Sequence, residues 1–195
     1  MSRSNSIEVD AFELLEPLAR GGMGEVWRAR HRTQRVPAAI KVLPEARDHA
    51  AQMAFEHEVR AHAGLHHPGI AFLFDYGTID LRATRDSGGR LSPGSPYLAM
   101  EFADGGTVRE LMPFDCWEPV RDLVRSILDA LAHSHARDVV HRDLKPENML
   151  VFEEADICVK LADFGIAHAV GSEHRHSREN LETLRGTPTY MAPEQ

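Results

Sequence analysis

The sequence predicts an α+β fold in two parts, an antiparallel sheet carrying one helix and then a mainly helical portion. Three observations predict it. Apolar-rich stretches at residues 12–18 and 25–31 bracket a glycine cluster, the pattern of a strand, a tight loop and a second strand. Helix formers over residues 46–64 close with Gly64 and then Pro68, the residues that stop a helix. Over residues 117–137, Val120, Leu123, Val124, Ile127, Leu128 and Leu131 recur at i, i+3, i+4, i+7, i+8 and i+11, the stripe of an amphipathic helix.

The other elements fall between these. Residues 36–43 read as a third strand, and residues 70–79 and 97–102 as a strand pair. Residues 80–96 separate that pair and contain Asp86-Ser87-Gly88-Gly89-Arg90 and Ser92-Pro93-Gly94-Ser95-Pro96, the composition of a mobile surface loop. Residues 149–152 and 157–161 form a short hairpin around residues 153–156, and the remainder to Gln195 has no sustained period. Residues 1–11 are polar and read as a disordered leader. No internal repeat is present.

Composition narrows the function. With 43% hydrophobic and 27% charged residues, the 195-residue chain is an ordinary globular protein. A net charge of −8 and the lack of a basic run argue against a nucleic-acid partner. Cys116 and Cys158, the only cysteines, offer neither a zinc nor a disulfide framework, so a reducing, cytoplasmic compartment is expected. No apolar run reaches the roughly 18 residues of a membrane span, and the first residues lack the apolar core of a signal peptide.

The loop Leu18-Ala19-Arg20-Gly21-Gly22-Met23-Gly24-Glu25-Val26 can bring backbone amides close to a phosphate, because glycines remove the Cβ atoms that block the approach. A tight hairpin turn would look the same. A dinucleotide-binding loop would open a helix, whereas residues 25–31 read as a strand, and the Gly-Lys-Ser/Thr of a Walker A loop is absent. Ala38-Ala39-Ile40-Lys41 places a lysine in an apolar strand, where it either serves a ligand or snorkels to the surface. Glu58, in the following helix, is a candidate partner for Lys41 or part of a solvated helix face.

The segment His141-Arg142-Asp143-Leu144-Lys145-Pro146-Glu147-Asn148 decides between these readings, because Asp163-Phe164-Gly165 and Ala192-Pro193-Glu194 follow it in order. With the glycine loop and the strand lysine, this set resembles the eukaryotic-like (Hanks-type) serine/threonine protein kinase family over residues 12–195, and Gly21 to Trp27 is most similar to its bacterial members. The resemblance implies a bilobal kinase fold with an N-lobe over residues 12–102 and part of a C-lobe over residues 103–195. Family members continue through further C-lobe helices, so it also implies a chain cut after the activation segment. Ala19 stands where the family loop usually has its first glycine.

Phosphoryl transfer needs in-line positioning and charge neutralisation more than covalent chemistry. By resemblance, Asp143 orients the substrate hydroxyl and accepts its proton, Lys145 offsets γ-phosphate charge, and Asn148 and Asp163 hold Mg2+. Lys41 would grip the α- and β-phosphates of ATP, steadied by Glu58. Leu18, Ala19, Arg20, Gly21, Gly22, Met23, Gly24, Val26 and Ala39 would surround the nucleotide, with Met100 as gatekeeper and Glu101 and Ala103 in the hinge. Lys145-Pro146-Glu147 resembles the serine/threonine branch, so the implied partners are proteins with serine or threonine acceptors.

Thr183 is the candidate phosphosite, which Arg142 could receive, and a homodimer is one route to autophosphorylation in trans. A metal role for the histidines is disfavoured, because His62 stands at i+5 from His57 and a zinc helix uses i and i+4. A catalytically silent remnant that binds nucleotide or acts as a scaffold is the alternative to an active kinase.

Overall fold

The computed structural model describes residues 6–21, 24–44, 49–153, 157–164 and 190. The chain divides into two compact units, Met1–Met53 with Leu73–Phe102, and Ala54–Phe72 with Ala103–Gln195. Among the described residues, no helix is long and apolar enough to cross a membrane.

The first unit is built on an antiparallel sheet of β1 (Ile7–Val9), β2 (Phe12–Gly21), β3 (Gly24–His31), β4 (Pro37–Val42), β5 (Leu73–Thr78) and β6 (Pro96–Glu101), in the order β1-β2-β3-β4-β6-β5. β1 corrects the expected leader. Ile7-Glu8-Val9 alternates like a strand, pairs Ile7 with Leu14 and Val9 with Phe12, and buries Val9. Pro17 lies in β2 beside a register irregularity between Pro17 and Ala19, a place where a strand accommodates proline. Val9, Phe12, Leu14, Trp27, Ala29, Ala38, Ile40, Val42, Tyr97 and Ala99 form the core on one face of this sheet.

The segment between β5 and β6 is not the loop its composition suggests. Asp80 caps a short helix, α2 (Leu81–Asp86), by accepting from the Ala83 amide at 2.7 Å. The backbone closes through Ile79 N to Ser95 O and Gly94 N to Ile79 O, each at 2.8 Å. Ile79, Ala83 and Leu91 are buried in the sheet core. The serines and glycines make the turns between these anchors: Ser87 Oγ donates to Thr84 O and accepts from Leu91 N.

The second unit takes α1 (His49–Ala63) from Ala54 onward, followed by α3 (Val108–Leu111), α4 (Trp117–His135), a 3-10 turn at Pro146–Asn148, and the hairpin of β7 (Met149–Glu153) and β8 (Ile157–Leu161). Residues 54–72, expected with the sheet, belong here because Leu65 and Ile70 pack with Leu161 and Phe164. The same backbone is tied by Leu161 N to Gly69 O and Ala71 N to Leu161 O. α4 shows the expected stripe, with Ile127 and Ala130 in the core and Leu123 and Leu131 beside it. Val124 and Leu128, on the same stripe, are exposed, Leu128 by 60%.

Candidate active site

In the first unit, the β2–β3 hairpin ends at the pair Gly21 and Gly24; Gly22 and Met23 lie outside the described residues. Gly24 has φ +116, and a Cβ there would lie 2.1 Å from the Val42 carbonyl oxygen. The strand therefore needs glycine at that point.

Directly opposed residues of antiparallel strands share a face. Ala19 opposes Val26, Val26 opposes Lys41, Lys41 opposes Leu98, and Ala39 opposes Met100, so one sheet face carries the predicted nucleotide contacts together. The other face, with Trp27, Ala38, Ile40 and Ala99, is the core described above. Lys41 is only 8% exposed on an apolar surface, a position where an ammonium requires anionic company. Leu18 and Arg20 are exposed, and Glu101 closes β6. Ala103 falls in the second unit.

In the second unit, the segment from His141 to Asn148 folds around its own side chains. Lys145 Nζ donates to Asp143 Oδ2 at 2.6 Å. Asn148 Nδ2 donates to the Asp143 carbonyl at 2.8 Å and to Oδ2 at 3.0 Å. The Asp143 carboxylate is thus aimed by a buried cation and a buried amide, both set by the 3-10 turn. The Asn148 side-chain oxygen takes no part in these bonds. The Asn148 backbone oxygen accepts from Ala162 N at 2.9 Å, which ties this turn to the strand end carrying Asp163.

Arg142 and Asp163 have φ of 62 and 63, in the left-handed region that costs a non-glycine residue about 1–2 kcal/mol. Such backbone persists where the surroundings fix it and gathers at functional sites. For magnesium, the donor set is a carboxylate and an amide oxygen, hard oxygen ligands that suit Mg2+ when water and phosphate complete its shell. The residues fit that ion. Among the described residues, no cluster of three or more His, Cys, Asp and Glu side chains forms a metal cage.

Within the second unit, Arg142 Nη1 donates to Glu58 Oε1 at 2.7 Å, an ion pair between α1 and the His141–Asn148 segment.

His62 was not foreseen as part of this region, although it lies at i+4 from Glu58 and so on the same side of α1. Phe164 is packed between His62 and His141, with ring centroids 5.2 and 4.6 Å away. His62 Nε2 donates to the Ala71 carbonyl at 3.2 Å. Burial pushes both imidazoles below the ordinary histidine value of 6.5, against the opposing pull of Asp163, so both are neutral at pH 7.

The unfolded chain protonates these histidines first as pH falls. Folding stability is therefore fully present above about pH 7.5 and declines as pH drops through about 6.5. Urea unfolding at pH 7.5 and 5.5 is expected to show the loss, and His62→Leu to reduce it. An identical pH slope in the variant would remove His62 from the explanation.

Thr183, Gly165 and the Ala192-Pro193-Glu194 triplet lie outside the described residues.

Comparison with known proteins agrees with this geometry. The protein kinase domain family model matches residues 12–195. A probable serine/threonine-protein kinase of Streptomyces coelicolor is 35% identical over 191 residues, covering 94% of this chain and 26% of the relative. Serine/threonine-protein kinase PknB of Mycobacterium leprae is also 35% identical, with 95% of this chain and 29% of the relative covered. The crystal structure of the Mycobacterium tuberculosis PknI kinase domain superposes with a TM-score of 0.67 at 27% identity, over 85% of this chain and 64% of that one. The chain spans less than a third of the length of these curated relatives.

Proposed function

Because the chain belongs to the protein kinase domain family, we propose that it transfers the γ-phosphate of ATP to serine and threonine hydroxyls of protein substrates. The observation that carries this reading is the Asp143 carboxylate held by Lys145 at 2.6 Å and Asn148 at 3.0 Å. That arrangement aims the carboxylate, as a group must be aimed to orient an attacking hydroxyl and take its proton. Lys145 then lies close enough to the reacting group to offset charge on the γ-phosphate. Asn148, through its carbonyl oxygen, and Asp163 are the residues that would hold Mg2+, which supplies neutralisation of phosphate charge when bound.

On the sheet, Val26, Ala39 and Met100 give the adenine an apolar surface, and Lys41 from the same face supplies the cation for the α- and β-phosphates. Leu18, Ala19 and the glycine hairpin cover the phosphates, Glu101 and Ala103 present backbone to the adenine edge, and Glu58 is the carboxylate assigned to Lys41. The choice of serine and threonine rests on Lys145-Pro146-Glu147 and on relatives of that class. Thr183 is proposed as an autophosphorylation site, reached in trans by a second copy. The cytoplasm, which supplies ATP, is the proposed location.

The test incubates the protein with labelled ATP, magnesium and a generic protein substrate. Label is expected on serine and threonine of the substrate, and mass spectrometry is expected to find phosphate on Thr183. Nucleotide bound without transfer would instead support a silent nucleotide-binding module.

A further inference from the structure

The segment between β5 and β6 makes one polar contact with the sheet that its own folding does not require. Arg90 leaves the turn after α2 and donates from Nε to Glu25 Oε1 at 2.8 Å, with Nη2 on the same oxygen. Its guanidinium also lies over the Trp27 ring, 4.7 Å from the centroid. Glu25 is 6% exposed, and a carboxylate buried that deeply is stable only with such a partner.

Position makes this contact consequential. Glu25 directly follows Gly24, whose approach to the Val42 carbonyl seats the hairpin on β4. Alternation puts Glu25 and Trp27 on the core face and Val26, between them, on the face with Lys41. Gripping two successive core-face positions therefore fixes the orientation of Val26 and the root of the glycine hairpin together. The grip is itself anchored: Leu91, the next residue after Arg90, is buried, and its amide is held by Ser87 Oγ at 3.1 Å.

We infer that the segment between β5 and β6 is a brace for the glycine hairpin and that Arg90 is a positioning residue for nucleotide binding, acting through Glu25 and Trp27. This rests on the kinase reading for the identity of the nucleotide. Lysine cannot replace Arg90 fully, because a single ammonium lacks both the forked donors and the planar stack.

Arg90→Ala is expected to raise the Kd and KM for ATP by about tenfold, the scale of a lost charge-assisted hydrogen bond, while kcat changes less than about twofold. Arg90→Lys is expected to fall between that variant and the wild type. In nucleotide-free protein, hydrogen exchange of the amides over residues 18–26 is expected to quicken in Arg90→Ala and partly recover in Arg90→Lys, with circular dichroism confirming that both are folded. A purely structural role would lower the melting temperature and leave KM unchanged, and that result overturns the inference, as does unchanged exchange in the hairpin. If the wild type binds no ATP, the kinase reading fails instead, and the exchange measurement alone decides whether Arg90 braces the hairpin.

Discussion

Asp143→Asn is expected to lower phosphoryl transfer by roughly 10²–10⁴-fold, the range of a lost general base, while ATP affinity stays within about twofold. Asparagine keeps the size of the side chain and an oxygen that can accept from Asn148 Nδ2, which binds Oδ2 at 3.0 Å in the native protein. It does not keep a carboxylate that can take a proton. The substitution also removes the charge facing Lys145, whose ammonium is buried. Part of the loss will therefore appear as lower stability, which urea unfolding separates from the chemical effect. Label transfer within tenfold of wild type would sink the assignment of Asp143, whatever became of ATP binding.

The grouping of the side chains in this loop was legible in the sequence because their contacts are local. Asp143, Lys145 and Asn148 lie close together in the chain, and short-range geometry brings the ammonium and the amide onto the carboxylate. The sheet was legible for a similar reason. Alternation in residues 24–31 and 37–42 sorts Val26, Ala39 and Lys41 from Trp27, Ala38 and Ile40, and the observed register preserves that sorting.

The misreadings turn on partners outside the segment that was misread. Residues 79–95 carry turn formers, and only the burial of Ile79, Ala83 and Leu91 against β1 to β4 shows that those turns serve packing. Residues 7–9 are too short to signal a strand without β2 to pair with. His62 looked like one more helix histidine until Phe164 and His141 closed on it. Local sequence fixes which groups are present, and the tertiary fold decides which of them touch.

The two glycines that close the β2–β3 hairpin are expected to respond oppositely to alanine. At Gly24, φ of +116 is strained for any side chain, and the Cβ would sit 2.1 Å from a backbone oxygen of β4 that has no freedom to rotate away. Gly24→Ala should cost about 2 kcal/mol or more of stability, the scale of strained backbone, and weaken ATP binding by displacing Val26 from its place opposite Lys41. At Gly21, a Cβ meets nothing within 4 Å. Gly21→Ala should leave stability within about 0.5 kcal/mol, so any loss of ATP affinity there reports on phosphate approach to the loop and not on folding. Urea unfolding and ATP titration of both variants give four numbers, and the pattern is specific. Equal destabilisation by the two substitutions would mean that the hairpin is not seated on β4 through Gly24. Unchanged ATP affinity in both would mean that the hairpin does not cover the nucleotide.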